Sequence, residues 1–367
     1  MSSELENKEK TLDKNENEIA LRETEGLSQG QIIFRRFVRH KAAMSSLIVL
    51  IFIILFSYTG SGIHLGDSNN KITVQGWWPY QIDQIDPEGA VASMCANGIP
   101  GCPTLDLIPE FIDGTGMQVG AHPLGMDTVG TDYFALVLRG AEQSIMVMLI
   151  VGLLGVAIGT VIGAIAGFYG GVVDAILMRL TDMFLVMPTL VIGAVIGFRF
   201  GNLGVVPLAV MLGLFAWMGL ARFVRTEFLS LREREFVDAA RVAGASNRRI
   251  IFKHILPNAV GVIIVAGTLL MSGAILTESA LSFLGFGVRA PDVSLGLLIS
   301  RYQDVFTVAP WLFWWPGIFI IAIALCVNFI GDGLRDAFDP RQKRRISLKE
   351  RMQARELKST AATKAKA

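Results

Sequence analysis

The sequence predicts an all-α membrane protein with six transmembrane helices and a long extracytoplasmic loop between the first and second. Three observations predict it. Hydrophobic residues fill 52% of the 367 positions and charged residues 18%, against about 25% charged in an ordinary soluble domain. Mean hydropathy is +0.51. The apolar residues also fall into continuous runs near the roughly 20 residues that cross a bilayer as a helix. Continuous apolarity rather than alternation excludes a membrane β-barrel. Backbone in hydrocarbon must hydrogen-bond to itself, so each run is helical. The same composition excludes a disordered chain, a coiled coil and a disulfide scaffold.

The segments follow in order. Residues 1–27 form a polar cytoplasmic tail; its first 26 residues hold eight acids, four bases and no aromatic, the composition of a disordered segment. No cleavable leader is expected, because the first apolar run starts after residue 41, behind acidic sequence. Segment 28–60 carries the first span at 42–58, and 61–138 is the outer loop. Segment 139–340 is the helical core. Its spans are expected at 144–169, at 183–221 (two spans joined by a tight turn near 199–202), at 259–277 and at 311–330. A basic tail, 341–367, closes the chain.

Charge placement gives the orientation. Arg35, Arg36, Arg39 and Lys41 precede the first span, whereas 60–138 holds Lys71 alone against nine acids. Residues 222–257 hold eight bases, and the tail from Arg341 holds ten Lys/Arg against two Glu. Cytoplasmic loops collect Lys and Arg. Both termini are therefore expected in the cytoplasm and the acidic loop outside. Trp311, Trp314 and Trp315 then mark the outer interface of span six.

Gly155, Gly159, Gly163 and Gly167 recur every fourth residue, continuing to Gly171, and Gly193, Gly197 and Gly201 repeat the pattern. Small residues at this spacing let helix backbones approach closely. Packing within the chain is one use, and homodimerisation is another. Cys95 and Cys102 lie in a Pro/Gly-rich stretch. They can close a disulfide if the loop faces an oxidising compartment, and are otherwise two free thiols. Cys326, in an apolar run, reads as a small hydrophobe.

Catalytic signals are missing. The chain has no Gly-Lys pair, hence no nucleotide phosphate loop of the usual kind. Gly285-Phe-Gly287-Val-Arg-Ala290 matches a dinucleotide pattern but follows a span rather than a strand. The four histidines show no metal spacing, and neither a cofactor nor an enzymatic site is expected.

The segment 229–258 carries the functional signal. Local rules give one helix ending at Ala243 before Gly244, then a second capped by Ser246, with Pro257 opening span five. Phe236, Ala239/Ala240 and Ala243 share a face by spacing. Small alanines there leave room for another protein; a loop held only by its own charges is the plainer reading.

Glu235-Phe-Val-Asp238-Ala239-Ala240-x-x-x-Gly244, followed by Leu256-Pro257, resembles the "EAA" loop of ABC-importer permease subunits. Asp238 replaces the usual Glu, and His254 a common Ile. Lys-His-Ile-Leu-Pro-Asn-Ala is similar to the dipeptide/oligopeptide branch. So is His122-Pro-Leu-Gly-Met-Asp127-x-x-Gly130-x-Asp132, apart from Met126 and Thr131. Gly167-Phe-Tyr-Gly-Gly171-x-x-Asp174, Glu278-Ser-Ala-Leu-Ser-Phe-Leu-Gly285 and Gly331-Asp-Gly-Leu-Arg-Asp-Ala-Phe-Asp-Pro340 resemble it too. Glu142 stands where Arg is common. The resemblance runs over about 28–342.

The resemblance implies a type I ABC-importer permease (MetI-like) fold in a bacterial cytoplasmic membrane. It implies an ATPase-coupling loop built on Glu235, Asp238, Ala239, Ala240, Gly244 and Pro257. The implied partners are a second homologous permease subunit, two cytoplasmic ATP-binding subunits, an extracytoplasmic peptide-binding protein and the lipid bilayer; nucleic acid is not among them. Di- or oligopeptides are the implied cargo, with nickel chelates or another small solute as the alternative. A channel or ion-coupled carrier would need no ATPase, and a carrier would place ionisable groups at mid-span, where this chain has almost none.

Overall fold

A computed structural model describes residues 29–65, 72–74, 76–86, 101–106 and 118–338. Two helices open it: α1, Gln29–Arg39, and α2, Lys41–Ser61. Four short strands follow, β1 Ile63–Leu65, β2 Ile72–Val74, β3 Leu105–Asp106 and β4 Gln118–Val119. The core then runs α3 Tyr133–Tyr169, α4 Gly171–Leu185, α5 Thr189–Phe200, α6 Val205–Gly213, α7 Met218–Arg232 and α8 Glu235–Val242. It ends with α9 Asn247–Phe283, α10 Leu295–Tyr302 and α11 Trp311–Phe338.

Helix α3 is the axis. It packs against α2, α6, α7 and α9, and α11 fills the space between α2 and α9. Two capping groups set its ends. The Asp132 carboxylate accepts from the Ala135 amide at 2.7 Å, satisfying a donor the helix cannot. At the other end Gly170 and Gly171 turn the chain into α4 with φ of 64° and 54°, a region that excludes most side chains.

The glycine spacing appears on the packed face of α3. A Cβ on Gly155 would lie 3.2 Å from the Leu270 side chain, one on Gly159 2.8 Å from Leu220, and one on Gly163 2.8 Å from the Val224 Cβ. On Gly167 it would lie 2.6 Å from the Phe228 Cβ. These glycines seat α7 and α9 against the α3 backbone. Gly171, expected to extend the row, faces open space and serves the turn instead. Gly193 packs on Leu281, and Gly201 approaches the Gly287 carbonyl.

Four helices are long and apolar enough to cross a membrane singly, and two bent pairs bring the count to six. The two spans expected within 183–221 are present as two helix pairs, each broken, that reach beyond those bounds and meet at Gly204, just past the expected turn at 199–202. One pair, Gly171–Leu185 with Thr189–Leu203, bends by 76°, and Val205–Gly213 with Met218–Arg232 bends by 40°. Pro188 explains the first break: it lacks an amide hydrogen and pushes Met187 away from helical geometry. Pro207 is tolerated because it lies in the first turn of α6.

The helix that carries span two begins before the expected 144, at Tyr133, and Arg139 and Glu142 in its early turns neutralise each other at 2.7 Å. Ser61 at the end of α2 donates to the same Glu142 at 2.7 Å. The loop between α2 and α3 adds small sheets to an otherwise helical fold. β1 pairs antiparallel with β2, Ile63 opposite Val74, and β3 with β4, Leu105 opposite Val119.

Pro316 sits inside α11, where it withdraws the hydrogen bond that the Leu312 carbonyl would receive. That carbonyl instead accepts the hydroxyl of the fully buried Tyr133, the first residue of α3.

Candidate functional site

Helix α8 projects from the end of the bundle. Arg234 enters it with extended backbone, and Glu235 and Asp238 occupy its first turn, where negative charge meets the positive end of the helix dipole. Arg241 in the last turn bonds Asp238 at 2.9 Å. The end is a Schellman motif. The Ala245 amide bonds the Ala240 carbonyl at 3.0 Å, and the Gly244 amide bonds the Arg241 carbonyl at 2.9 Å. Gly244 has φ of 74°.

Val237 and Ala240 are buried in a cluster with Phe168, Phe228, Ile250 and Ile255. The face expected from spacing is therefore split. Ala239, Ala243 and the edge of Phe236 are exposed, while Ala240 turns inward. The larger Val237 sets the rotation, carrying Ala240 three residues on to the same side. The outer face is Glu235, Phe236, Asp238, Ala239, Val242 and Ala243, with Val242 91% exposed.

The expected second short helix is not separate. Ser246 caps it, accepting from the Arg249 amide at 3.4 Å. The chain then continues through a π-turn, Ile250–Ile255, directly into the long body of α9. The wide turn accommodates Pro257, which lacks a donor for the Lys253 carbonyl. The Asn258 amide group covers the neighbouring His254 carbonyl at 2.6 Å.

Polar ties connect this end to α3 and α4. Arg225 of α7 holds both oxygens of Asp174 on α4, with one bond of 2.6 Å. Arg232 donates to the Phe168 carbonyl at 3.2 Å. The family resemblance singles out Asp174 but neither Arg225 nor Arg232, which enter only as part of the basic count in 222–257.

The opposite end holds a second network. Asp127 accepts from the Val129 and Thr131 amides and from the Tyr302 hydroxyl, at 2.8–2.9 Å. Burial, together with the Asp127 carboxylate, pushes the Tyr302 phenol above its ordinary pKa. Asp132 accepts the Trp78 indole at 2.9 Å and meets His122 at 2.7 Å. The His-Pro-Leu-Gly motif thus pins the start of α3 to α10.

Between the two ends, Glu278 is 1% exposed and accepts from Ser282 at 2.6 Å and Ser144 at 3.3 Å. Gln143 holds the Val293 amide at 2.8 Å and Asp292 at 3.0 Å. These groups fix the 285–294 segment on α3; Gln143 and Ser144 carry no sequence signal of their own, whereas Ser282 lies inside the Glu278–Gly285 motif. A cavity of about 240 Å³ opens where the two helix breaks face α9, lined by Phe184, Met187, Thr189, Phe215, Met218 and Thr277 among others.

Among the described residues no cluster of three His, Cys, Asp or Glu has metal-binding geometry. Cys102 is disulfide-bonded and Cys326 is free and buried. Cys95 lies outside the described residues.

Comparison with known proteins places these features in a family. Residues 159–344 match the family described as binding-protein-dependent transport system inner membrane component. Residues 28–91 match the N-terminal TM domain of oligopeptide transport permease C. The oligopeptide transport system permease protein OppC of Mycobacterium tuberculosis is 35% identical over 86% of this chain and 96% of its own. OppC of Haemophilus influenzae is 37% identical over 87% of this chain and 91% of its own. Among solved structures, the inward-facing MetNI methionine ABC transporter matches with TM-score 0.47 and 19% identity, covering 56% of this chain and 96% of that one.

Proposed function

Because the chain belongs to the binding-protein-dependent inner-membrane permeases, in their oligopeptide branch, we propose that it forms one half of an oligopeptide path driven by ATP hydrolysed on partner subunits. The observation that supports this reading best is α8. It presents an exposed surface, yet its inner face is buried, and α7 just before it is tied to α4 by Arg225 and to α3 by Arg232. A push on α8 therefore moves α7 and the α3–α4 turn with it. Two cytoplasmic ATPases, one on α8 and one on the matching helix of a second homologous permease, would draw these helices together. The spans would then rock between inward-open and outward-open states. An extracytoplasmic binding protein would deliver peptide between the two permeases.

The outer surface fits a shared path. In the four single-helix spans only 22–39% of the most apolar window is buried within this chain. The test is reconstitution with a second permease, ATPases and binding protein. ATP-dependent uptake of labelled peptide is expected, and none with an ATPase lacking its phosphate-loop lysine. Uptake of nickel chelate but not peptide, or uptake without ATPases, would refute the proposal.

Both termini are proposed to be cytoplasmic, with a Cys95–Cys102 bridge in the outer loop. In intact cells of a Cys326→Ala strain, a membrane-impermeant maleimide should label Gln84→Cys and spare Arg248→Cys. The unmodified cysteines should react only after reduction. Labelling of Arg248→Cys from outside would reverse the topology.

A further inference from the structure

We propose that α1 is an in-plane membrane anchor that gathers anionic phospholipid headgroups. The proposal stands on the membrane reading of the chain, not on its cargo. Along α1 the residues divide by angle at 100° per residue. Ile33, Phe34, Phe37 and Val38 occupy one arc, and Arg35, Arg36 and Arg39 the other. The apolar arc is itself divided. Ile33 and Phe37 pack on Ile330, Leu334 and Ala337 of α11. Phe34 and Val38 are 69% and 44% exposed.

The attachment is fixed at both helices. His40 caps α2 by accepting from the Ala43 amide at 3.1 Å, and its other nitrogen lies 3.4 Å from Asp336 on α11. Further along the chain α2 exposes Ile48, Val49, Ile51 and Phe52, the apolar surface that a spanning helix turns to lipid. Phe34 and Val38 precede the start of that span, and this order sets the α1 apolar edge at the lipid boundary.

Charge selects the headgroup. Arg35, Arg39 and Lys41 are exposed and make no ion pair among the described residues. No acid occurs between residues 26 and 66. A helix with aromatic and aliphatic groups on one edge and cations on the other lies in the interface, and acidic lipids strengthen its hold. The occupant is the anionic headgroup layer adjoining α1.

The test uses the full chain, Cys326→Ala, with a fluorophore on Val38→Cys in bilayers containing phosphatidylglycerol and phosphatidylcholine. Quenching by brominated phosphatidylglycerol is compared with quenching by brominated phosphatidylcholine at equal mole fraction. Each surface cation favours acidic lipid by about fivefold, so a preference of at least that size is expected. Arg35→Gln/Arg39→Gln/Lys41→Gln should bring it close to one. Arg35→Glu/Arg39→Glu should take it below one, a reversal that a merely unfolded helix cannot produce. Equal quenching by both lipids in the unmutated α1, or a preference that survives both variants, overturns the proposal. A preference that emerges only after deletion of 1–26 overturns it too, because the acidic tail then occupies the face.

Discussion

Leucine at Gly163 should sharply destabilise the subunit. The glycine faces Val224 and the Arg225 amide, where an added Cβ would lie 2.8 and 3.0 Å from them. The remaining three carbons of leucine have nowhere to go unless α3 and α7 separate. Overpacking costs about 1–3 kcal/mol where side chains can adjust; here the obstacle includes backbone, so the upper end or beyond is expected. Gly167→Leu should behave alike against Phe228. Gly317→Leu on α11 is the comparison, since nothing lies within 4 Å of its Cβ position. Size exclusion and thermal unfolding of the purified variants check this. Equal stability of Gly163→Leu and Gly317→Leu would mean that α3 and α7 do not meet through these glycines.

Gly244→Val should leave the subunit inserted but uncouple it. A side chain at φ of 74° costs about 1–2 kcal/mol, most for a branched residue. The Schellman closure would open and α8 would lose its fixed exit, while the spans stay untouched because nothing surrounds the site. Peptide uptake and ATPase co-purification should both fall at least tenfold. Gly244→Asn, which tolerates the left-handed region, should restore most of both. Asp238→Lys should lower co-purification without altering insertion, since its only described partner is the exposed Arg241. Full uptake in Gly244→Val and Asp238→Lys would remove α8 from the coupling path.

The spans and the end of α8 were legible in sequence because each rests on a local rule. Apolar runs mark the helices, and Gly244 and Ser246 mark termini that side-chain and backbone bonds complete. The fourfold glycine spacing likewise signalled close approach before any partner helix was known. What could not be read depends on tertiary partners. Arg139 and Glu142 looked like the end of hydrophobic sequence because their mutual neutralisation is invisible along the chain. The broken spans were missed because Pro188 lies within an apolar run, where composition outweighs a single missing amide. The rotation of α8, with Ala240 inward, follows from Val237 finding Phe228 and Ile250, residues that local spacing cannot place nearby. Glu278 looked peripheral at a span boundary, whereas serines from α3 and α9 enclose it.

The Tyr133–Leu312 bond limits where the molecule can flex. Pro316 leaves the Leu312 carbonyl without a helical donor, and the Tyr133 hydroxyl is what supplies one. Sliding α11 away from α3 would strip that oxygen within a buried junction, a penalty of about 1–3 kcal/mol. The two helices therefore behave there as a welded corner. Any alternation of the path must articulate elsewhere, and the described residues hold two breaks, at 186–188 and at 214–217, where the helices bend by 76° and 40°.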